Sequence, residues 1–441
     1  MRFLLRGGCV LTLGAKTPNF AEADLLIEDG RVAEVGPGLR ARDAELVDAT
    51  DTIVMPGFVD THRHAWKSLF RNLGESASSG EPPASAAAFG DHYRPDDVYA
   101  ATLIGLLGAV EAGITTVVDW SDIRTDDGFA DAALQAHADA GLHTVFVPAA
   151  HRPGQGREDA EPAIRHLLER LAHGAAPSTS IALGWELAEA DPGRIAHDRA
   201  LARALGLHLH IHAGSQAPGT VARLAEQGLL GADVTLVHGP GLENADLDAI
   251  EASGASVSLA PASEMASGLG SPPILQLIDR DIRPGLGVDD ELVAPGDMFA
   301  QMRATISLQH ATVFDRKLAG KAGLPRLMST RDVIRFATAD GARVAGLGRV
   351  TGSLEPGMRA DVVVLRTDRP NIFPINDPIG AVVWGMDTSN VDWVFAGGGV
   401  LLRDGVLQAD VQRARGMATT ARQRVAAAAG LVPAAAPGGE R

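Results

Sequence analysis

The chain has 441 residues, 46% of them apolar and 21% charged, with a formal net charge of −16. That length and composition allow a large buried core, and the acidic balance argues against nucleic acid or an anionic membrane as the main partner. Cys9 is the only cysteine, which excludes an intramolecular disulfide and a cysteine-based metal site, so any metal must rest on histidines and carboxylates.

The first residues, Met1 to Cys9, superficially suggest a signal segment, but Arg6 interrupts an apolar run that is already too short. Nothing approaches the ~20 apolar residues of a membrane span, so a cytoplasmic protein is expected. Residues 1–54 carry short apolar runs separated by turn signals such as Gly30 and Gly36-Pro-Gly38, the texture of a small all-β piece.

From residue 53 the pattern changes to strands alternating with amphipathic stretches. Strands are expected at 53–60, 115–119, 143–147, 181–186, 207–212, 234–238, 255–259 and 283–289, with helices between them at 97–112, 192–205 and 242–253. Eight strand–helix alternations in this length predict an α/β (β/α)₈ TIM barrel. An open doubly wound sheet is the alternative, but no glycine-rich phosphate turn follows the first strand. Residues 71–94 form a long loop after that strand, expected to be a substrate lid or a flexible insertion.

Strand texture returns after residue 345, at 360–365, 392–396 and 400–407. The two end segments, 1–54 and 346–408, are expected to pair into a small β-sandwich beside a barrel spanning 55–345. A helix over 409–428 and a disordered or neighbour-wrapping tail complete the chain.

Barrel enzymes place their chemistry at the C-terminal ends of strands. The first strand ends in His62-Arg-His64, the fifth in His212, the sixth in His238 and the eighth in Asp289. Side chains alternate along a strand, so His62 and His64 share a face and can grip one divalent ion. A pair of histidines filling a barrel mouth would explain the first strand alone. Metal-competent groups at four strand ends are better explained by a metal site. His210 reads as a hydrogen-bonded lumen histidine, and His92, His143, His151 and His310 as structural.

These features resemble the amidohydrolase superfamily, in the branch of cytosine deaminase and triazine hydrolases. The matching residues are Pro56-Gly-Phe-Val-Asp-Thr-His-Arg-His64, His212, Val237-His238, Gly287-Val-Asp289 and the Gly352-Ser-Leu-Glu-Pro-Gly-Met-Arg-Ala-Asp361 segment that returns the chain to the end sheet. The resemblance implies one divalent ion, Zn²⁺ first with Fe²⁺ or Mn²⁺ as alternatives, held by His62, His64, His212 and Asp289. It implies that Asp289 takes the proton of a metal-activated water and that His238 contacts that water or the substrate. It further implies hydrolysis of a non-peptide C–N bond in a small cyclic or heteroaromatic compound, and a homo-oligomer, most simply a dimer.

One position departs from the family. Deaminases of this branch carry Glu three residues after the fifth-strand histidine, where this chain has Ser215. A serine hydroxyl cannot serve as a comparable acid near neutral pH, which leaves deamination and amide hydrolysis both open. Glu264 is the first candidate replacement acid and Glu186 the second, each readable equally as a structural carboxylate. Ser215, Trp66, Trp185 and Glu186 fall near the expected mouth and are candidate substrate contacts, although large aromatics at such positions more often pack than recognise. A non-catalytic, amidohydrolase-like scaffold protein is the alternative from a different class.

Overall fold

The structure, a computed structural model, describes residues 1–73, 89–123, 128–148, 160–186, 192–213 and 218–431. Strands from both chain ends form one sheet. At the N-terminal end these are β1 (Arg2–Val10), β2 (Phe20–Glu28), β3 (Arg31–Gly36), β4 (Glu45–Asp48) and β5 (Thr52–Pro56). The barrel strands are β6 (Phe58–Arg63), β7 (Ile114–Ser121), β8 (His143–Pro148), β9 (Thr179–Ile181), β10 (Leu183–Glu186), β11 (Leu209–His212), β12 (Val234–Val237), β13 (Ser256–Leu259) and β14 (Gly285–Leu286). The chain returns to the first sheet through β15 (Val362–Arg366), β16 (Val391–Ala396), β17 (Gly399–Arg403) and β18 (Val406–Leu407).

The junction of the two ends is the antiparallel pairing of β15 with β5, in register from Val362 opposite Pro56 to Arg366 opposite Thr52. Alternating apolar residues on these strands bury one face, with Phe3, Leu25, Ile27, Val54, Val362, Val364 and Phe395 in one cluster. The sequence reads 53–60 as a single strand, but the chain breaks at Gly57. A Cβ there would stand 2.2 Å from Thr115 Cγ2, so only glycine lets the chain pass from the end sheet into the barrel wall. Met55 and Pro56 therefore belong to the end sheet, and the barrel wall begins at Phe58.

All barrel pairings are parallel, running β6-β7-β8-β9 and β10-β11-β12-β13-β14. Ala182 separates β9 from β10, and its N–H donates to Phe146 O at 3.0 Å, so the two pieces act as the fourth of eight strand positions. The barrel closes where Asp289 N–H donates to His62 O at 2.8 Å and His64 N–H donates to Asp289 O at 2.7 Å. The regular part of the eighth strand, Gly285–Leu286, is shorter than the expected 283–289, and Asp289, with φ +67°, pairs with Arg63 as an isolated parallel bridge. The lower lumen is filled by Val59, Val118, Val145, Val147 and Ala182 against Ala342 and Ala345.

Closure depends on Gly287, where a Cβ would lie 2.8 Å from both His62 N and His62 O. Backbone atoms cannot rotate away as a side chain can. Gly287→Ala is therefore expected to destabilise the fold by about 3 kcal/mol, at the upper end of overpacking costs. Denaturant unfolding checks this, and a change below about 0.5 kcal/mol would show that the two strands can separate freely.

His143 opens β8 in a buried position. Burial, then the Arg359 charge, lowers its pKa to about 4, although Asp361 opposes them. In the unfolded chain a histidine titrates near 6.5. Between pH 6.5 and 4 the unfolded state thus binds the extra proton, so stability is complete above 6.5 and falls as pH drops through this window. The shift corresponds to about 3 kcal/mol by pH 4. Unfolding curves at pH 7 and 4.5 should show a smaller acid loss in His143→Phe than in the parent.

The helix Pro95–Glu111 starts on a proline, and Asp97 accepts the Arg94 N–H at 2.7 Å to cap it. The C-terminal helix Val411–Ala428 lies across it, with Arg424 paired to Asp97. Among the described residues no helix is long and apolar enough to cross a membrane.

Candidate metal centre and active site

Every metal-competent residue expected at a strand end faces the same mouth. His62 Nε2 lies 3.1 Å from His212 Nε2 and 3.4 Å from Asp289 Oδ1, and His64 Nε2 lies 3.4 Å from the same Asp289 oxygen. The His238 ring centroid is 5.3 Å from those of both His62 and His212. Ligand atoms of His62, His64 and His212 fall within 4.8 Å of one another, as do those of His62, His238 and Asp289. Two ligands about 2.0–2.1 Å from a tetrahedral ion stand roughly 3.3 Å apart, which matches these separations.

The backbone aims the groups. His238 and Asp289 hold φ values of 69° and 67°, the left-handed region that histidine and aspartate enter more readily than most residues. Each turn costs on the order of 1–3 kcal/mol and swings a side chain out of its strand into the mouth. The Trp120 ring stacks on His212 with centroids 3.9 Å apart, which fixes that imidazole from the side.

A carboxylate backs three of the four rings. His64 Nδ1 is 3.0 Å from Asp122 Oδ1, His212 Nδ1 is 2.5 Å from Glu186 Oε1 and His238 Nδ1 is 3.0 Å from Glu264 Oε1. An imidazole whose Nδ1–H donates to a carboxylate presents the bare Nε2 lone pair that a metal needs. Burial, with the neighbouring histidine charges, pushes the His62 pKa well below normal. His212 is also lowered by burial, against the pull of Glu186. Burial opposes the Asp289 charge, yet His62, His64 and His238 hold its carboxyl well below the usual range. Burial and Lys67 disfavour a charged His64, but Asp122 and Asp289 outweigh them and raise it to about 9. Carboxylates thus outnumber fixed cations here, and a divalent ion satisfies both the charge and the donor set.

The amidohydrolase family model matches residues 53–401. The chain belongs to the amidohydrolase family. It is 29% identical over 406 residues to a 5'-deoxyadenosine deaminase of Methanothermobacter thermautotrophicus, covering 87% of this chain and 90% of the relative. It is 28% identical over 430 residues to a 5-methylthioadenosine/S-adenosylhomocysteine deaminase of Desulforudis audaxviator, covering 91% and 94%. A zinc-bound adenosine deaminase from Xanthomonas campestris shares the fold with a TM-score of 0.81 at 20% identity, over 96% of this chain and 98% of the other. The atrazine chlorohydrolase of Arthrobacter aurescens complexed with zinc gives 0.81 at 21%, over 95% and 100%. The barrel with its end sheet is therefore the amidohydrolase fold, and the chain is a hydrolase of C–N bonds other than peptide bonds.

Within this amidohydrolase the other expected contacts fall differently. Trp185 turns away from the mouth. Alternation along β10 points Glu186 inward, and the Trp185 indole N–H donates to Asp198 at 2.6 Å on the helix behind. Trp66 is 3% exposed, packed against Phe89 and Tyr93, with its indole N–H donating to Asp122 at 2.6 Å. Neither ring lies open to a substrate, and Trp66 instead braces the carboxylate behind His64. Arg63 points to the opposite side of its strand, where Nε donates to the buried Asp60 at 2.7 Å. Ser215, His151 and residues 74–88 of the expected lid lie outside the described residues.

Glu264 is fully buried behind His238, and its Oε1 also accepts the Ala260 N–H at 3.1 Å. Glu186 sits behind His212 in the same way. Each candidate acid thus holds a histidine Nδ1, Glu264 from a fully buried position and Glu186 with its side chain 26% exposed. Three residues were not anticipated from sequence. Asp122 holds both His64 and Trp66, Ser263 Oγ donates to Asp289 Oδ2 at 2.7 Å, and Lys67 lies 3.3 Å from Asp290. Asp122 directly follows the second barrel strand, so the strand-end rule that found the histidines would have found it too.

Proposed function

We propose that this amidohydrolase deaminates an adenine-type nucleoside, with zinc held by His62, His64, His212 and Asp289. The observation that carries this reading is the convergence of four imidazoles and one carboxylate on one mouth, three of the rings locked by their own carboxylates. The named activities of the relatives favour deamination over amide hydrolysis. When bound, the ion lowers the pKa of water towards about 7 and so supplies a nucleophile at neutral pH.

The chain's own groups handle the protons. Asp289 Oδ1, facing His62 and His64, accepts the proton released from water as oxygen adds to the ring carbon. His238 is the proton donor in this reading: burial opposes its charged form, but the Glu264 hydrogen bond and the Asp289 charge favour it and raise its pKa. Its Nε2–H donates to the charge that develops on the substrate, while Glu264 keeps the ring in place. With Ser215 in place of a carboxylic acid, His238 is the described group best suited to protonate the leaving side. Ammonia then departs, the added hydroxyl tautomerises to the carbonyl, and the proton taken up by Asp289 passes to the neighbouring His238, so both groups are restored.

Ammonia release from 5'-deoxyadenosine, adenosine, 5'-methylthioadenosine and cytosine, set beside hydrolysis of cyclic imides, tests the reading. Turnover of an adenine nucleoside at least about 10²-fold above the imides is expected. Imide hydrolysis with no ammonia from any nucleoside would assign the site to amide hydrolysis instead.

A further inference from the structure

The C-terminal helix Val411–Ala428 also reaches the short helix Ala65–Phe70, which directly follows His64. At this seam Ser68, Arg71, Ile104, Arg415, Thr419 and Arg422 border a recess of about 280 Å³. Arg415, Thr419 and Arg422 recur at i, i+4 and i+7, so one helix face presents all three. Among the described residues lining the recess there is no carboxylate. Arg71 is paired with Glu291 at 2.9 Å, whereas Arg415 and Arg422 are exposed and make no ion pair with a described residue.

The floor is built for close approach. A Cβ on Gly105 would stand 2.5 Å from Ser68 Oγ, and one on Gly108 would stand 3.0 Å from Arg71 Nη2. A glycine inside a helix is less favourable than an alanine. Two of them a turn apart let Ser68 and Arg71 settle against Pro95–Glu111 and bring the Arg71 guanidinium to the recess. The hydroxyls are already committed, Ser68 to Glu291 and Thr419 to Arg415 O, so the available donors are guanidinium forks. In a chain of net charge −16, two arginines with no ion-pair partner among the described residues, beside a third, form a local site for a compact dianion.

We propose that this recess binds a phosphate-type oxyanion, either free phosphate or the phosphoryl group of a small metabolite, between Arg415 and Arg422 with Arg71 behind. The planar forks of arginine match such oxygens in paired hydrogen bonds, and among the described residues no carboxylate pairs with Arg415 or Arg422. Glu291 links the site to the metal centre, since it accepts from Ser68 Oγ at 2.8 Å, pairs with Arg71 and lies 3.6 Å from Arg63 next to the metal-facing histidines.

The test is the unfolding temperature of the full, metal-loaded chain against inorganic phosphate, and separately ribose 5-phosphate, with ionic strength held constant by KCl. A saturable rise of a few degrees is expected in the parent, and the tighter of the two anions identifies the source. In Arg415→Ala/Arg422→Ala the rise should vanish while the basal turnover stays unchanged. If that double variant fails to fold, Arg415→Gln alone should weaken binding about tenfold, the worth of one charged hydrogen bond. An equal rise in parent and variant would put the anion elsewhere, for example on the metal, and overturn the proposal. So would the absence of a saturable rise with both anions.

Discussion

Asp289→Asn is expected to lower kcat by about 10³-fold or more while the barrel remains folded. Asparagine keeps the volume and can still accept from Ser263 Oγ, which now donates at 2.7 Å. It removes the charge that faces His62 and His64 at 3.4 Å. In the proposed reaction the same oxygen takes a proton from water, a role an amide cannot fill, and general-base loss alone is worth about 10²–10⁴-fold. Weaker metal retention adds to the defect, because an anionic ligand is exchanged for a neutral one. Steady-state kinetics beside metal analysis of the purified variant separate the two contributions. A variant within about tenfold of the parent would remove Asp289 from the chemistry.

Glu264→Gln should cost about 10²-fold in kcat, with KM little changed. The carboxylate is fully buried and reaches the substrate only through His238, so its loss acts on the reacting geometry and not on ground-state binding. The sign of the pH effect follows from the same contact. Burial works against a protonated His238 and Glu264 works for it, so the neutral amide lowers the His238 pKa. The limb of the kcat profile on which His238 must carry its proton therefore moves to lower pH, which a purely structural role for Glu264 would not cause. A parallel fall in kcat with an unmoved profile would count against the positioning role.

The fold was legible because its signals are local and repeated. Apolar runs capped by a polar residue mark β11 at His212 and β12 just before His238, and the strand-end rule then collects the ligands. The breaks were less legible because they depend on partners distant in sequence. Nothing around Gly57 shows that Thr115 leaves no space for a side chain, so one run of apolar residues reads as one strand. The orientation of Trp185, whose indole N–H donates to Asp198, depends on a different kind of information. Its position near a strand end was visible, but the face it takes depends on Glu186 turning inward to His212. Glu264 and Glu186 were found as carboxylates near the mouth. That each backs a histidine is a matter of a third dimension that spacing does not encode. Asp122 directly follows β7, so the strand-end rule that collects the ligands reaches it as well.

The proposed function has one divalent ion in this mouth drive hydrolytic deamination. Its most direct test is ammonia release from 5'-deoxyadenosine by metal-stripped protein titrated with Zn²⁺. Activity rising in proportion to bound metal and levelling off near one ion per chain is the expected result. Equal ammonia release from stripped and reloaded protein would contradict the account.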